Sequence, residues 1–126
     1  MPRILYIEDN RDNRTLVRRV LLACDYDYWV EEAESAAIGI TMAQQNPPDL
    51  ILMDVSMPDM DGLTATRVLR TIPELAHIPI VAMTANAMHG DRERTLEAGC
   101  NGYIAKPIDV DKLPDEIWNY LRSRQQ

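Results

Sequence analysis

No apolar run in this chain of 126 residues approaches the ~20 needed to cross a bilayer, which excludes a spanning helix. The opening Met1-Pro2-Arg3 and the short Ile4–Ile7 run lack the length and the small-residue cleavage site of a secretory signal. Cysteine is scarce: Cys24 and Cys100 stand far apart, with no metal-ligand spacing. They read as small buried thiols and not as a disulfide, which fits a cytoplasmic address. The triplet Asn13-Arg14-Thr15 has the form of a glycosylation acceptor and, at that address, is a chance match. Basic residues are also few, 13 against 20 acidic for a net charge of −7, and they form no run. Nucleic acid and anionic membranes are therefore not expected as partners. Lysine occurs only as Lys106 and Lys112. Repeats, linkers and low-complexity stretches are absent, so one domain is expected over 1–126, with its core at about residues 3–122 and a polar tail at 123–126.

What is present alternates strand with helix from end to end. Arg3–Glu8 is a short apolar run closing on acidic residues, as a buried strand would, and Leu16, Val17, Val20 and Leu21 follow at helical spacing within roughly Asn13–Cys24. Tyr28–Ala33 is β-rich but half polar, which suits a more exposed strand. Ser35–Asn46 predicts a helix with Ile38, Met42 and Ala43 inward, stopped by Pro47-Pro48. Asp49–Met53 is a continuous apolar run ending on Asp54, the pattern of a central parallel strand. Met60-Asp61-Gly62 opens a helix through about Ile72, with Leu63, Val68, Leu69 and Ile72 inward and Pro73 ending it. Ile78–Met83 is the fourth strand, Asn86–Ala98 a helix closed by Gly99, and Gly102–Ala105 the fifth strand. Asp109 is expected to cap a last helix carrying Leu113, Ile117 and Leu121, with Pro114 in its first turn, where proline is tolerated. Five strands alternating with five helices imply a parallel sheet covered on both faces through right-handed crossovers.

In such a sheet, ligands bind outside the carboxyl ends of the strands. The first strand delivers Glu8 and Asp9 there, the third Asp54, the fourth Thr84 and the fifth Lys106. Each has an ordinary structural reading: Asp9 as a helix cap, Asp54 as a turn residue, Thr84 as a strand end, Lys106 as a solvated lysine. Together they are three carboxylates, a hydroxyl and an ammonium at one edge. Clustered carboxylates repel one another unless a cation sits among them, and carboxylates with waters are the ligands Mg²⁺ prefers. The lysine supplies a second positive charge for a phosphoryl group or its acceptor.

Glu8-Asp9-Asn10, the run Met53-Asp54-Val55-Ser56-Met57-Pro58-Asp59-Met60-Asp61-Gly62, Met83-Thr84-Ala85 and Lys106-Pro107 follow in order at strand ends, with Thr84 30 and Lys106 52 residues after Asp54. In these motifs the chain resembles the receiver domains of bacterial response regulators. The resemblance implies an α/β fold with a five-stranded parallel sheet, the (βα)5 flavodoxin-like doubly wound arrangement with strand order 2-1-3-4-5. It implies that Asp54 accepts a phosphoryl group from a histidine kinase or a histidine phosphotransfer protein. Mg²⁺, replaceable by Mn²⁺, would be bound by Asp9, Asp54 and the backbone carbonyl of Ser56, and by Glu8 through water. Many family members have aspartate where this chain has Glu8. Lys106 would pair with Asp54 and then with the phosphoryl group, and the Lys106-Pro107 peptide would be cis. Thr84 would turn to the phosphate and draw in Tyr103, the switch aromatic, while Ser56 and Asn86 would tune the lifetime of the phosphate. Output would pass through the fourth helix, fifth strand and fifth helix to a protein target.

Two rival readings make different demands. A Mg-dependent aspartyl-phosphate hydrolase would usually carry a second aspartate two residues after the nucleophile, where Ser56 stands. A flavodoxin-like cofactor binder needs a phosphate loop after the first strand, where Glu8-Asp9 would repel the ligand. The chain ends just after the last helix, so a stand-alone relay or adaptor, not a classical enzyme, is expected. The segment Ala76-His77-Ile78-Pro79 through Gly90-Asp91 and Gly99-Cys100 resembles receivers of hybrid kinases and stand-alone regulators of the DivK type.

Overall fold

The computed structural model describes residues 1–85, 90 and 92–124. Its elements are β1 (Arg3–Ile7), α1 (Arg11–Ala23), β2 (Trp29–Ala33), α2 (Ala36–Gln45), β3 (Leu50–Asp54), α3 (Gly62–Arg70), a 3-10 turn (Pro73–Leu75), β4 (Ile80–Thr84), α4 (Arg92–Ala98), β5 (Gly102–Ala105) and α5 (Leu113–Arg124). All strands run parallel in the order β2-β1-β3-β4-β5, as expected. None of the described helices is long and apolar enough to cross a membrane.

The central strands β3 and β4 are buried throughout, and strand alternation sends their side chains into two cores. Leu5, Ile7, Ile51 and Met53 meet Leu63 and Leu69 of α3 on one face. Ile4, Tyr6 and Leu52 meet Val17 and Leu21 of α1 and Leu113, Ile117 and Leu121 of α5 on the other. The edge strand β2 is only partly buried, as its polar composition suggested. Cys24 and Cys100 are free thiols.

Several inward assignments need correction. Leu16, Ile38 and Val68 are 44%, 42% and 36% exposed, beyond what helical spacing alone suggested. In α1 the buried stripe narrows to Val17 and Leu21, and in α2 it consists of the small residues Ala36, Gly39 and Ala43. Small side chains bring α2 close to β1, and Ile38 is left on the solvent side. α3 ends at Arg70, short of Ile72, and Pro73 begins the 3-10 turn instead of merely stopping a helix. The fourth strand begins at Ile80, after Ile78 and Pro79. Asp109 does not cap α5, which starts four residues later; its carboxylate accepts from Asp111 N, and its carbonyl from Lys112 N and Leu113 N, in a turn that precedes the helix. Of the helix expected over Asn86–Ala98, residues 86–89 and 91 lie outside the described residues, as do 125 and 126 of the polar tail.

Behind the N-terminal ends of β4 and β5, the half-buried Arg70 fastens several segments together. Its guanidinium donates to the carbonyls of Gly99 (2.9 Å), Leu75 (3.2 Å), Ala76 (3.0 Å) and Ile78 (2.7 Å) and to Asn101 Oδ1 (2.8 Å). Gly99 has φ +109, the left-handed helix end expected of it, and a Cβ there would stand 2.9 Å from Arg70 Cγ.

Candidate functional site

The switch point of the strand order lies between β1 and β3, and the acidic residues collect at its carboxyl edge. Glu8 follows β1, continues the sheet through Glu8 N to Ala33 O (3.0 Å), and is 1% exposed. Asp54 closes β3 and is 2% exposed. Asp9 is exposed. Oxygens of Glu8, Asp9 and Asp54 lie within 4.8 Å of one another. Lys106 Nζ, just beyond β5, reaches Asp54 Oδ1 at 2.7 Å and Glu8 Oε1 at 3.4 Å. Two of the ordinary readings, Asp9 as a helix cap and Lys106 as a solvated lysine, do not hold. Capping of α1 belongs to Asn10, whose side chain accepts from Asn13 N at 2.9 Å, and Lys106 is paired instead of solvated.

The electrostatics are those of a crowded anionic site. Burial pushes the Glu8 carboxyl above its usual range; the neighbouring Asp54 adds to this, while the Asn13 amide and the Lys106 charge oppose it. Burial works against the Lys106 ammonium too, but its hydrogen bond to Asp54 and the charges of Asp54 and Glu8 outweigh it and hold its pKa up. Three carboxylates thus face one ammonium. Such hard oxygen donors fit a divalent cation of the Mg²⁺, Mn²⁺ or Ca²⁺ type.

The other expected residues have definite places. Ser56 N points at Asp54 Oδ1 across a long 3.4 Å contact. Thr84 is 3% exposed at the end of β4, one residue past Met83, which pairs with Asp54; its carbonyl accepts from Lys106 N at 2.8 Å. Tyr103 lies half-buried on β5 opposite Ala82. The Lys106–Pro107 peptide is cis. Asn86 lies outside the described residues.

Sequence reasoning missed the supports. Tyr6 OH and Asn13 Nδ2 both donate to Glu8 Oε1, at 3.2 and 2.8 Å, and Arg14 Nη1 donates to the Glu8 and Asp9 carbonyls at 2.9 and 3.0 Å. Strand alternation could have found Tyr6, which lies two residues before Glu8 on the same face. Asn13 and Arg14 become visible only once α1 is known to begin at Arg11. Gly62 is a further support: a Cβ there would stand 2.1 Å from the Asp54 carbonyl oxygen, so only glycine lets α3 start against β3. The adjoining loop is pinned by its own aspartates. Asp61 caps α3 through Leu63 N (3.0 Å) and Thr64 N (2.9 Å), and Asp59 accepts from Ala36 N (3.4 Å) and Ala37 N (3.2 Å) at the start of α2. The Thr64 amide holds the Asp61 carboxyl below its usual range.

Comparison with known proteins adds four similarities. A family model described as the response regulator receiver domain matches residues 4–118. The polar-differentiation response regulator DivK of Brucella ovis is 40% identical over 118 residues, 94% of each chain. Among solved structures, the receiver domain of sensor histidine kinase PA1611 from Pseudomonas aeruginosa PAO1, with a magnesium ion coordinated in its active site cleft, is 36% identical with TM-score 0.87, covering 96% of this chain and 98% of that one. The chemotaxis protein CheY4 of Vibrio cholerae is 25% identical with TM-score 0.88, covering 95% and 98%.

Proposed function

Since this chain belongs to the response regulator receiver domain family of two-component signalling, we propose that it is a phospho-acceptor switch in which Asp54 takes a phosphoryl group from a phosphohistidine on a histidine kinase or phosphotransfer protein. The observation that carries this reading is the 2.7 Å pairing of Lys106 Nζ with an oxygen of the buried Asp54, beside Glu8 and Asp9. A carboxylate oxygen of Asp54 bonds to phosphorus as the phosphorus–nitrogen bond breaks, and the departing imidazole recovers a proton. Lys106 holds the acceptor in place beforehand and turns to a phosphoryl oxygen afterwards. Asp9, Asp54 and the Ser56 carbonyl would hold Mg²⁺, or Mn²⁺ in its stead, with Glu8 acting through water, in keeping with the magnesium in the PA1611 receiver. When bound, such an ion neutralises the oxygens gathered around the transferring group.

Phosphorylation exchanges the single negative charge of the Asp54 carboxylate for a phosphoryl group carrying about −1.5 to −2, with its own acceptor oxygens, at the end of β3. Thr84, one position past the Asp54–Met83 pair, would swing its hydroxyl to the new oxygens, and Tyr103 on the adjacent strand would follow. Output would leave through the α4–β5–α5 face to a protein target in the cytoplasm. Ser56 and Asn86 would govern water's approach and so the lifetime of the phosphate. The domain is expected to fill residues 1–126.

The test is mass spectrometry after incubation with acetyl phosphate and Mg²⁺. The parent protein should gain one phosphoryl group and Asp54→Asn none. An Asp54→Asn variant labelled as fully as the parent overturns the proposal.

A further inference from the structure

Glu8 has one more rotatable bond than an aspartate, so its carboxylate must be fixed by something if it is to serve a site. Three donors converge on one of its oxygens: Asn13 Nδ2 at 2.8 Å, Tyr6 OH at 3.2 Å and Lys106 Nζ at 3.4 Å meet at Oε1. Among the described residues, none donates to Oε2. Two of these donors have no other evident task. Tyr6 is 0% exposed within the α1/α5-side core, where phenylalanine would fill the same space, and Glu8 is the acceptor its buried hydroxyl requires. The Asn13 amide leaves the first turn of α1 to reach back across the strand–helix junction, while its own N–H is taken by the cap Asn10. The adjacent Arg14 does for the backbone what Asn13 does for the side chain, gripping the carbonyls of Glu8 and Asp9 with one nitrogen.

We propose that Asn13 and Tyr6 are positioning residues that saturate Oε1 of Glu8 and so present Oε2 to the divalent cation shared with Asp9 and Asp54. They are the compensation for a glutamate at this place: the longer arm is drawn back onto two donors instead of being left to choose among rotamers. The inference rests on the reading of Glu8, Asp9 and Asp54 as a cation site. Partners of direct metal ligands typically alter metal affinity by roughly 10- to 100-fold; Asn13 and Tyr6 act one step further out, through Glu8 and a water, which puts their effect at the low end.

The experiment is a Mn²⁺ titration of the unphosphorylated full chain, followed by the electron paramagnetic resonance signal of free Mn²⁺. Circular dichroism melting of each variant establishes that it is folded. Asn13→Ala should weaken binding about tenfold, and Tyr6→Phe should weaken it in the same direction by a smaller factor, its bond being the longer. In a Glu8→Asp background the carboxylate is one methylene short of both donors, so adding Asn13→Ala should change the affinity no further. The inference is overturned if Asn13→Ala binds Mn²⁺ as tightly as the parent, or loses the same factor in the Glu8→Asp background as in the parent. A parent protein that binds no Mn²⁺ overturns the cation-site reading, and this inference with it.

Discussion

At the carboxyl edge of the sheet three carboxylates crowd around one ammonium, whereas behind its amino edge one guanidinium is divided among five oxygens. The two arrangements use burial differently. Arg70 meets neutral carbonyls and an amide oxygen, dipoles that can each satisfy an N–H without bringing an opposing charge, and its planar fork joins the 75–78 stretch to the 99–101 stretch. Burial lowers its pKa, yet a guanidinium stays protonated throughout the physiological range. That end of the molecule is complete as folded. At the other end the charges do not balance: Glu8 is pushed upward by burial and by Asp54, and Lys106 can neutralise only part of the cluster. A fold can carry such an imbalance at one edge when the remainder is well fastened, and the imbalance suits the edge to a divalent cation.

The contrast can be broken most severely from its complete side. Arg70→Met leaves part-buried carbonyls of the 3-10 turn and of the α4 end without donors, and should lower stability by about 3 kcal/mol. Urea unfolding would read this as a fall in midpoint at constant slope. Arg70→Lys should recover only a part, since an ammonium is a point donor and cannot span the same acceptors. An Arg70→Met protein as stable as the parent would mean that the five contacts carry no energy.

The unbalanced side should respond to ions in the opposite sense. Mg²⁺ at about 100 times its Kd should stabilise the folded chain by ~2.7 kcal/mol, and a chelator should remove the gain. The effect should shrink as the pH falls, because protons compete with the cation for the same carboxylates. Removing Lys106 should sharpen the difference: Lys106→Met leaves the carboxylates without their cation, so the Mg²⁺ contribution to stability should grow even as phosphoryl uptake fails. A thermal shift that ignores Mg²⁺ in both proteins would count against the imbalance.

A smaller effect separates loop architecture from site chemistry. Asp61→Ala removes the α3 cap and should cost about 1 kcal/mol at neutral pH. Since the folded Asp61 carboxyl titrates below its usual range, its contribution is present above the unfolded aspartate pKa and is lost as pH falls through the folded value. The stability gap between parent and variant should therefore close on acidification. A gap independent of pH would assign the loss to packing.

Much of this arrangement was legible before any coordinates. Apolar runs marked the buried strands, which read as continuous hydrophobic segments ending where the chain meets solvent, while the edge strand β2 was marked by its β-rich, half-polar composition. Asp54, Lys106, Glu8 and Asp9 were visible for the same reason: each stands where an apolar run stops. Helix faces were less legible. The spacing of Ile38 matches a helix equally well whether it points inward or outward, and only the close approach of α2 through Ala36, Gly39 and Ala43 selects one.

The sequence by itself determined the alternating fold and the identity of the acidic cluster, since both follow from local pattern and from the rule that sites gather at strand carboxyl ends. Tertiary structure alone decided how the cluster is held. That Tyr6 and Asn13 share one oxygen of Glu8, that Gly62 must lack a side chain to lie against the Asp54 carbonyl, and that Arg70 closes the far end are all meetings of segments distant in sequence or angled by packing. Such meetings depend on ångström-scale distances between elements. Hydrophobic periodicity specifies which face a strand or helix buries, and leaves those distances to the packing of the whole.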